Sequence, residues 1–570
     1  MCGITALFNA HCYNYEDIQQ AFLKGKARGP EYSNSSVFNN VFLGFHRLAI
    51  NGLDEKSHQP LTLTSRKCHL ICNGEIYNWR KLKNVLKDEI NYQSNSDCEI
   101  ILHLYIKYGI EHTLQLLDGV FAFVLLDFED PNCPKAYIAR DPYGVRPLFY
   151  MTNQTDVLGF SSEIKMLHDL NKYDTQKFAQ LTPGTYWELR LFNNSWKCNY
   201  IKTFAGPLAF TNPRINNDNV FDIIRKALFE AVSKRVDNTD REITCLLSGG
   251  LDSSLITALV AKMLPNPKML HTWSIGMTGS EDLKYAKIVA DHIGTTHHEV
   301  ILSEKDFLDA IPQVIYAIES YDTTSVRASV GNWLIAKAIR ENSDAKVVFN
   351  GDGSDELTGG YMYFHLAPDE IEFDKECRRL LSDIHYFDVL RSDRSIASHG
   401  LEARTPFLDR GFVDTYLSIP RELRYHPKHN QPEKYLLRKS FDGMDFLPPE
   451  ILWRGKEAFS DGISKHTRSW FEIIQDHALT KVNIKCPKLA EKTWYKQIFD
   501  SHFSNCSNVI PYLWMPKYVD ADDASARTLD VYKRSNNSKQ SNNKQSNNKQ
   551  SNNKQSNNKQ SNNSKQDVVC

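Results

Sequence analysis

Three short apolar runs, at 243–247, 272–275 and 346–350, constrain the fold of this chain more than any other feature. Each has the length of a buried strand. Helical spacing over 220–236 precedes the first run, and helical patterns from Ser254 and over 283–292 follow the first and second. Strands alternating with helices predict a parallel α/β sheet. The first and third runs lead directly into glycine-rich loops, Ser248-Gly249-Gly250-Leu251-Asp252-Ser253-Ser254 and Gly351-Asp352-Gly353-Ser354-Asp355-Glu356. Ligands of open α/β sheets bind beyond the carboxyl ends of the strands, so the two loops point at one pocket.

Before this region the rhythm differs. Residues 2–190 are rich in short β-type runs, at 41–45, 69–72, 121–127, 136–139 and 148–151, with helices expected over 79–87 and 98–108. This is an α+β pattern, mostly sheet. Residues 191–219, with Pro207, Pro213 and several Asn, read as a linker. Residues 220–532 form the second large unit, largely helical beyond about 378. From 533 to 570 the chain repeats Ser-Asn-Asn-Lys-Gln, which buries no apolar area and reads as a disordered, passive tail.

The formal net charge of -1 hides an asymmetry. From Lys533 onward seven lysines and Arg534 stand against Asp567, a charge of +7, which leaves -8 on the body. An acidic body lacks the basic footprint of a nucleic-acid binder. The twelve cysteines include no C-x2-C pair, so neither a zinc site nor a dense disulfide framework is expected. No signal peptide and no membrane-length apolar run is present. These features predict a cytoplasmic protein that acts on small molecules and contacts neither nucleic acid nor membrane.

Cys2 directly follows the initiator Met. Trimming of Met would leave a thiol and an α-amino group on one residue, a nucleophile with its own base. Cys2 alone is weak evidence, but its candidate neighbours make a constellation. Arg47 lies in Arg47-Leu48-Ala49-Ile50-Asn51, after a β run, and Asn73-Gly74-Glu75 follows another. Asp97 stands in Ser96-Asp97-Cys98. An Asn side chain and a Gly N–H can bind a tetrahedral oxyanion. An Arg suits an α-carboxylate, and Asp97 or Glu75 suits an α-ammonium.

These motifs, with 139–148 (Ala-Arg-Asp-Pro-Tyr-Gly-Val-Arg-Pro-Leu), resemble the amidase domain of class II glutamine amidotransferases. The resemblance implies an N-terminal-nucleophile αββα sandwich. It makes Cys2 nucleophile and base, makes Asn73 and Gly74 the oxyanion hole, and gives residues 47–51, Glu75 and Asp97 to glutamine.

In the second half, glycines let backbone N–H groups approach phosphate, and the serines add hydroxyl donors. Asp252 suits Mg²⁺, and no Gly-Lys-Ser/Thr of a Walker A loop is present. The string Ser-Gly-Gly-x-Asp-Ser resembles the pyrophosphate loop of ATP pyrophosphatases, implying an α/β parallel-sheet domain with a helical C-terminal part. Together the two halves resemble the glutamine-hydrolysing asparagine synthetases, from Cys2 to about Tyr532. That resemblance assigns Leu246, Ser248, Gly249, Gly250, Asp252, Ser253, Ser254, Ile275, Asn350 and Gly351 to ATP, and Asp252 and Asp355 to Mg²⁺. It gives Lys456 to the phosphates and Asp352 to acyl-adenylate formation or capture of ammonia. It also implies a homodimer. Two positions depart from the closest family pattern, Ser-Gly-Glu-Gly-Ser-Asp-Glu: Asn350 replaces Ser, and Asp352, one methylene shorter, replaces Glu. An amidotransferase with another carboxylate acceptor would carry the same two sites, and a substrate panel separates the readings. Sugar-phosphate and phosphoribosyl amidotransferases share only the first domain.

Overall fold

The structure, a computed structural model, describes residues 2–87, 89–153, 157–170, 177–457, 459–465 and 467–530. The tail expected from 533 lies outside the described residues.

The first half supplies β1 (Gly3–Phe8), β2 (Tyr32–Phe38), β3 (Val41–Arg47), β4 (Leu61–Leu63), β5 (Cys68–Ile76), β6 (Gly119–Asp127), β7 (Lys135–Arg140), β8 (Phe149–Thr152), β9 (Val157–Ser161), β10 (Lys177–Gln180), β11 (Thr185–Phe192) and β12 (Ser195–Thr203). These strands form two six-stranded sheets, ordered β10-β8-β9-β1-β3-β2 and β12-β11-β7-β6-β5-β4. Residues alternate between the faces of a strand. Thus Ala6, Leu43 and Phe160 of the first sheet meet Ile71, Val124 and Ile138 of the second in one buried cluster. Their neighbours Leu7 and Phe42 face outward onto Ile18 and Phe22 of α1 (Tyr15–Leu23). On the other side Leu70 and Phe123 pack on Leu86 of α2 (Trp79–Leu86) and Leu104 of α3 (Glu99–Leu116). Met166 of α4 (Lys165–His168) joins the α1 side. The half is therefore two sheets packed face to face between helices. Because both faces of the central strands are covered, their sequences are continuously apolar rather than alternating.

Residues 195–203, expected within the linker, instead form β12, paired antiparallel with β11. Only Trp196 of this edge strand is fully buried, against Phe8 and Phe128. Its otherwise polar composition explains why it reads as a loop.

The second half opens with α5 (Val220–Val236) and is built on β13 (Ile243–Leu246), β14 (His271–Met277), β15 (Thr296–Leu302), β16 (Val347–Phe349) and β17 (Glu402–Arg404). All pair in parallel, in the order β15-β14-β13-β16-β17. The helices α6 (Leu251–Met263), α7 (Glu281–Ile293), α8 (Glu304–Ile318), α9 (Thr323–Asn342), α10 (Ser354–Thr358), α11 (Glu370–Asp383) and α12 (Asp388–Ala397) pack around this sheet. The α6 helix begins three residues before the expected Ser254, so Asp252 and Ser253 lie in its first turn. The largely helical region beyond 378 also contributes β17, a Glu-Ala-Arg strand buried despite its charges. No helix among the described residues is long and apolar enough to cross a membrane.

The halves share a core. Leu48, Ile50, Tyr77, Tyr143 and Val145 of the first pack with Val220, Leu228, Leu247 and Phe407 of the second. Tyr143 and Val145 place the 140–149 segment at this junction.

Candidate active site

Cys2 precedes β1, and its backbone nitrogen donates to Asn73 Oδ1 at 3.0 Å. Its thiol donates to Leu48 O at 3.7 Å. Burial pushes that thiol up to about 11, against the nearby Arg47 guanidinium, so at neutral pH it needs a base to become a nucleophile. Asn73 is fully buried, and its Nδ2 has no hydrogen-bond partner among the described residues. An orphaned buried donor costs about 1–3 kcal/mol. The same amide binds the Cys2 backbone through Oδ1.

Gly74 follows on β5. A Cβ there would lie 2.6 Å from Val120 O and 2.8 Å from Phe121 Cα, so the pairing with β6 admits only glycine. Arg47 is anchored through its guanidinium to the carbonyls of Asp54 (2.9 Å) and Gly52. Ala49 N donates to Glu31 Oε2 at 2.7 Å, and Ile50 O accepts from Asp240 N at 2.9 Å. Asp97 accepts from Ile76 N at 2.7 Å, yet burial pushes its carboxyl up to about 6.

Glu75 is engaged differently. Its Oε2 accepts from Asn51 Nδ2 (2.6 Å) and Asn238 Nδ2 (2.9 Å) and lies 3.3 Å from Arg404 Nη2. Of the two carboxylates proposed for an α-ammonium, Glu75 thus ties the thiol corner to β17, and Asp97 is the one without an ion pair to that strand. From Arg404 a buried chain of charges continues. Arg404 pairs with Glu402 (2.9 Å), Glu402 with Arg146 (3.3 Å), Arg146 with Asp393 (3.5 Å), and Asp393 with Arg28 (2.9 Å). Arg28 Nε then donates to Cys2 O at 3.0 Å. Breaking one buried pair in such a chain costs about 3–5 kcal/mol, so the junction is held rigidly.

The second site is a cleft at the carboxyl ends of β13, β14 and β16. It is lined by Leu246, Ser248, Gly250, Asp252, Ser253, Ile275, Asn350, Gly351, Asp352, Asp355 and Lys456. Ser248 and Ser253 hydroxyls lie 3.0 Å apart, and Gly250 N donates to Ser248 Oγ at 3.3 Å. A Cβ on Gly351 would meet Asp252 Cβ at 2.7 Å, so glycine lets the two loops touch. Two expected residues stand back from the lining. Gly249 accepts from Arg454 Nη1 at 3.0 Å through its carbonyl, and Ser254 is fully buried in α6.

Asp252 and Asp355 converge on Lys434, whose ammonium lies 2.5 Å from one and 2.7 Å from the other. Lys456 pairs with Asp355 at 2.5 Å and lies 4.0 Å from Asp252. Against burial, the two lysines hold the Asp355 carboxyl below the usual range, and Asp355 and Asp252 hold Lys456 charged. Asp352 pairs with Arg391 of α12 at 2.9 Å, while burial pushes its carboxyl up.

Comparison with known proteins matches a family model to each half. Residues 1–191 match the family model for a glutamine amidotransferase domain, and residues 223–372 and 367–517 match that for asparagine synthase. The glutamine-hydrolysing asparagine synthetase of Gallus gallus is 43% identical over 94% of this chain and 99% of its own length. That of Homo sapiens is 42% identical over the same shares. The chain belongs to the glutamine-hydrolysing asparagine synthetases. Among solved structures, glutamine phosphoribosylpyrophosphate amidotransferase from B. subtilis aligns with a TM-score of 0.29 and 18% identity over 43% of this chain and 61% of that chain.

For an asparagine synthetase, several cleft and junction residues carry no local sequence signal. Lys434, Arg391 and Asp388 of the cleft and Asn238 of the junction are such residues. A lone lysine or arginine inside helical or loop sequence reads as a solvated charge. At Gly74 the steric argument yields a direct expectation. Gly74→Ala should shift β5 against β6 and destabilise the fold by about 1–3 kcal/mol. Thermal unfolding measures this, and an unchanged melting temperature would refute the steric reading.

Proposed function

We propose that the chain forms asparagine from aspartate, ATP and glutamine, with glutamate, AMP and pyrophosphate as the other products. We read its face-to-face sheets as an N-terminal-nucleophile αββα sandwich. In it, removal of Met1 frees the α-amino group of Cys2 to take the thiol proton. The thiolate attacks the glutamine side-chain amide. Asn73 Nδ2 and the Gly74 N–H stabilise the oxyanion, ammonia leaves, and water releases glutamate from the thioester. Arg47 holds the α-carboxylate and Asp97 the α-ammonium of glutamine. The observation that carries this reading is the Asn73 amide, which accepts from the Cys2 nitrogen with Oδ1 and whose buried Nδ2 has no hydrogen-bond partner among the described residues.

In the cleft, the aspartate β-carboxylate attacks the α-phosphate of ATP. The β-aspartyl-AMP formed is captured by ammonia. Lys434 and Lys456 balance charge on the departing pyrophosphate. Asp252 and Asp355, meeting on one lysine, offer the hard oxygen donors that Mg²⁺ takes alongside phosphate oxygens. Bound there, the ion would supply charge neutralisation at the phosphates. Asp352 stands at the adenylate and takes up a proton from the attacking ammonia. Ammonia moves along the junction bordered by residues 140–149, because free in water at neutral pH it would be protonated and unreactive.

Mass analysis of products from ATP, aspartate and glutamine tests the proposal. Asparagine, glutamate, AMP and pyrophosphate are expected, and ADP with phosphate, or no asparagine, would refute it. The Asp97 carboxyl adds a pH dependence. Below about pH 6 it takes a proton and loses its attraction for an ammonium. The Kd for glutamine, measured by calorimetry on the non-reacting Cys2→Ala variant, should rise about tenfold per pH unit below that value. Asp97→Asn should flatten the profile. A Cys2→Ala profile that stays flat from pH 5 to 8 with Asp97 intact would remove Asp97 from the pocket.

A further inference from the structure

Asn350 closes β16 and stands at the head of the loop that carries Asp352. It is 4% exposed, and its amide is committed on both sides. Oδ1 accepts from the Asp352 backbone N–H at 3.3 Å. Nδ2 donates to Ser392 Oγ on α12 at 2.6 Å. Arg391, the residue preceding Ser392 on α12, binds the Asp352 carboxylate at 2.9 Å. Asp352 is thus gripped at its backbone by Asn350 and at its side chain by α12, while Asn350 joins the two. The Asp352 side chain remains 15% exposed and lines the cleft.

We propose that Asn350 and Ser392 are positioning residues for Asp352, and that the long Asn350 amide compensates for the short Asp352 side chain. This rests on the reading that Asp352 acts at the adenylate. An aspartate reaches one methylene less far than a glutamate, about 1.5 Å of chain, and an error of about 1 Å in a reacting group costs roughly 100-fold. The Asn350 amide draws the loop backbone toward α12 and so returns part of that reach. A serine at 350 is too short to span both the Asp352 N–H and Ser392.

The test is steady-state asparagine formation with ammonia as nitrogen donor, which bypasses Cys2. Ser392→Ala, Asn350→Ser and Asp352→Glu should each lower kcat about tenfold, with KM for ATP nearly unchanged in Ser392→Ala and Asp352→Glu. The double variant N350S/D352E should recover to within about threefold of wild type, because the two changes act on one distance and are not additive. Double-variant losses that multiply would overturn the inference, as would a wild-type kcat in Asn350→Ser or Ser392→Ala. Asp352→Asn separates the two levels. If it keeps full activity, the role of Asp352 itself falls. If it is inactive while Asn350→Ser is unimpaired, only the positioning role falls.

Discussion

Replacing Cys2 by alanine should abolish glutamine-dependent asparagine formation and leave ammonia-dependent formation intact. Among the described residues the thiol's hydrogen bond is a weak one, to Leu48 O at 3.7 Å, so its loss costs the fold little. In the proposed mechanism the substitution removes the atom that forms the thioester, for which water is a poor substitute. Loss of a nucleophile of this kind lowers kcat by about 10⁴-fold or more. The cleft proposed to use ammonia lies in the other half, and Cys2 is not among its lining residues. Asparagine formation assayed with each nitrogen source decides the matter. Loss of both activities with an unchanged melting temperature would contradict two separable sites, and retention of glutamine-dependent synthesis would remove Cys2 from the chemistry.

Lys434→Met should produce the second large effect. The lysine side chain is 1% exposed and is the common partner of Asp252 and Asp355. Methionine keeps most of the volume and none of the charge. Lys456 then faces two carboxylates alone, 4.0 Å from one of them. Removing one partner of a buried ionic cluster costs about 3–5 kcal/mol. The melting temperature should fall, and synthesis with glutamine and with ammonia should fall together, while glutamine hydrolysis persists. Mg²⁺ should raise the melting temperature of the variant more than that of wild type, because a divalent cation replaces the missing charge between the carboxylates. Equal Mg²⁺ shifts in both proteins would show that Asp252 and Asp355 do not share the ion.

The contiguous parts of both sites were legible. Ser248–Ser254 and 351–356 are strings of adjacent residues at strand ends, and local chemistry suffices to read them. Asn73-Gly74-Glu75 was legible in the same way, but the destination of Glu75 was not. Its carboxylate turns to Asn238, 163 residues away, and to Arg404. Sequence reading likewise missed β12, whose polar edge residues imitate a linker, and β17, whose Glu-Ala-Arg imitates a surface turn.

The sequence by itself therefore determined the alternation that builds a parallel sheet, the two loops at its strand ends, and the candidate nucleophile Cys2. Each depends on spacing within a few residues. Only the tertiary structure decided which charges meet. Lys434 reaches Asp252 across 182 positions, and α12 carries Arg391 to Asp352 and Asp393 to Arg28 within three residues. A charge is tolerated in the interior only when its partner arrives with it, and that arrival is fixed by how the halves pack. No local pattern records it.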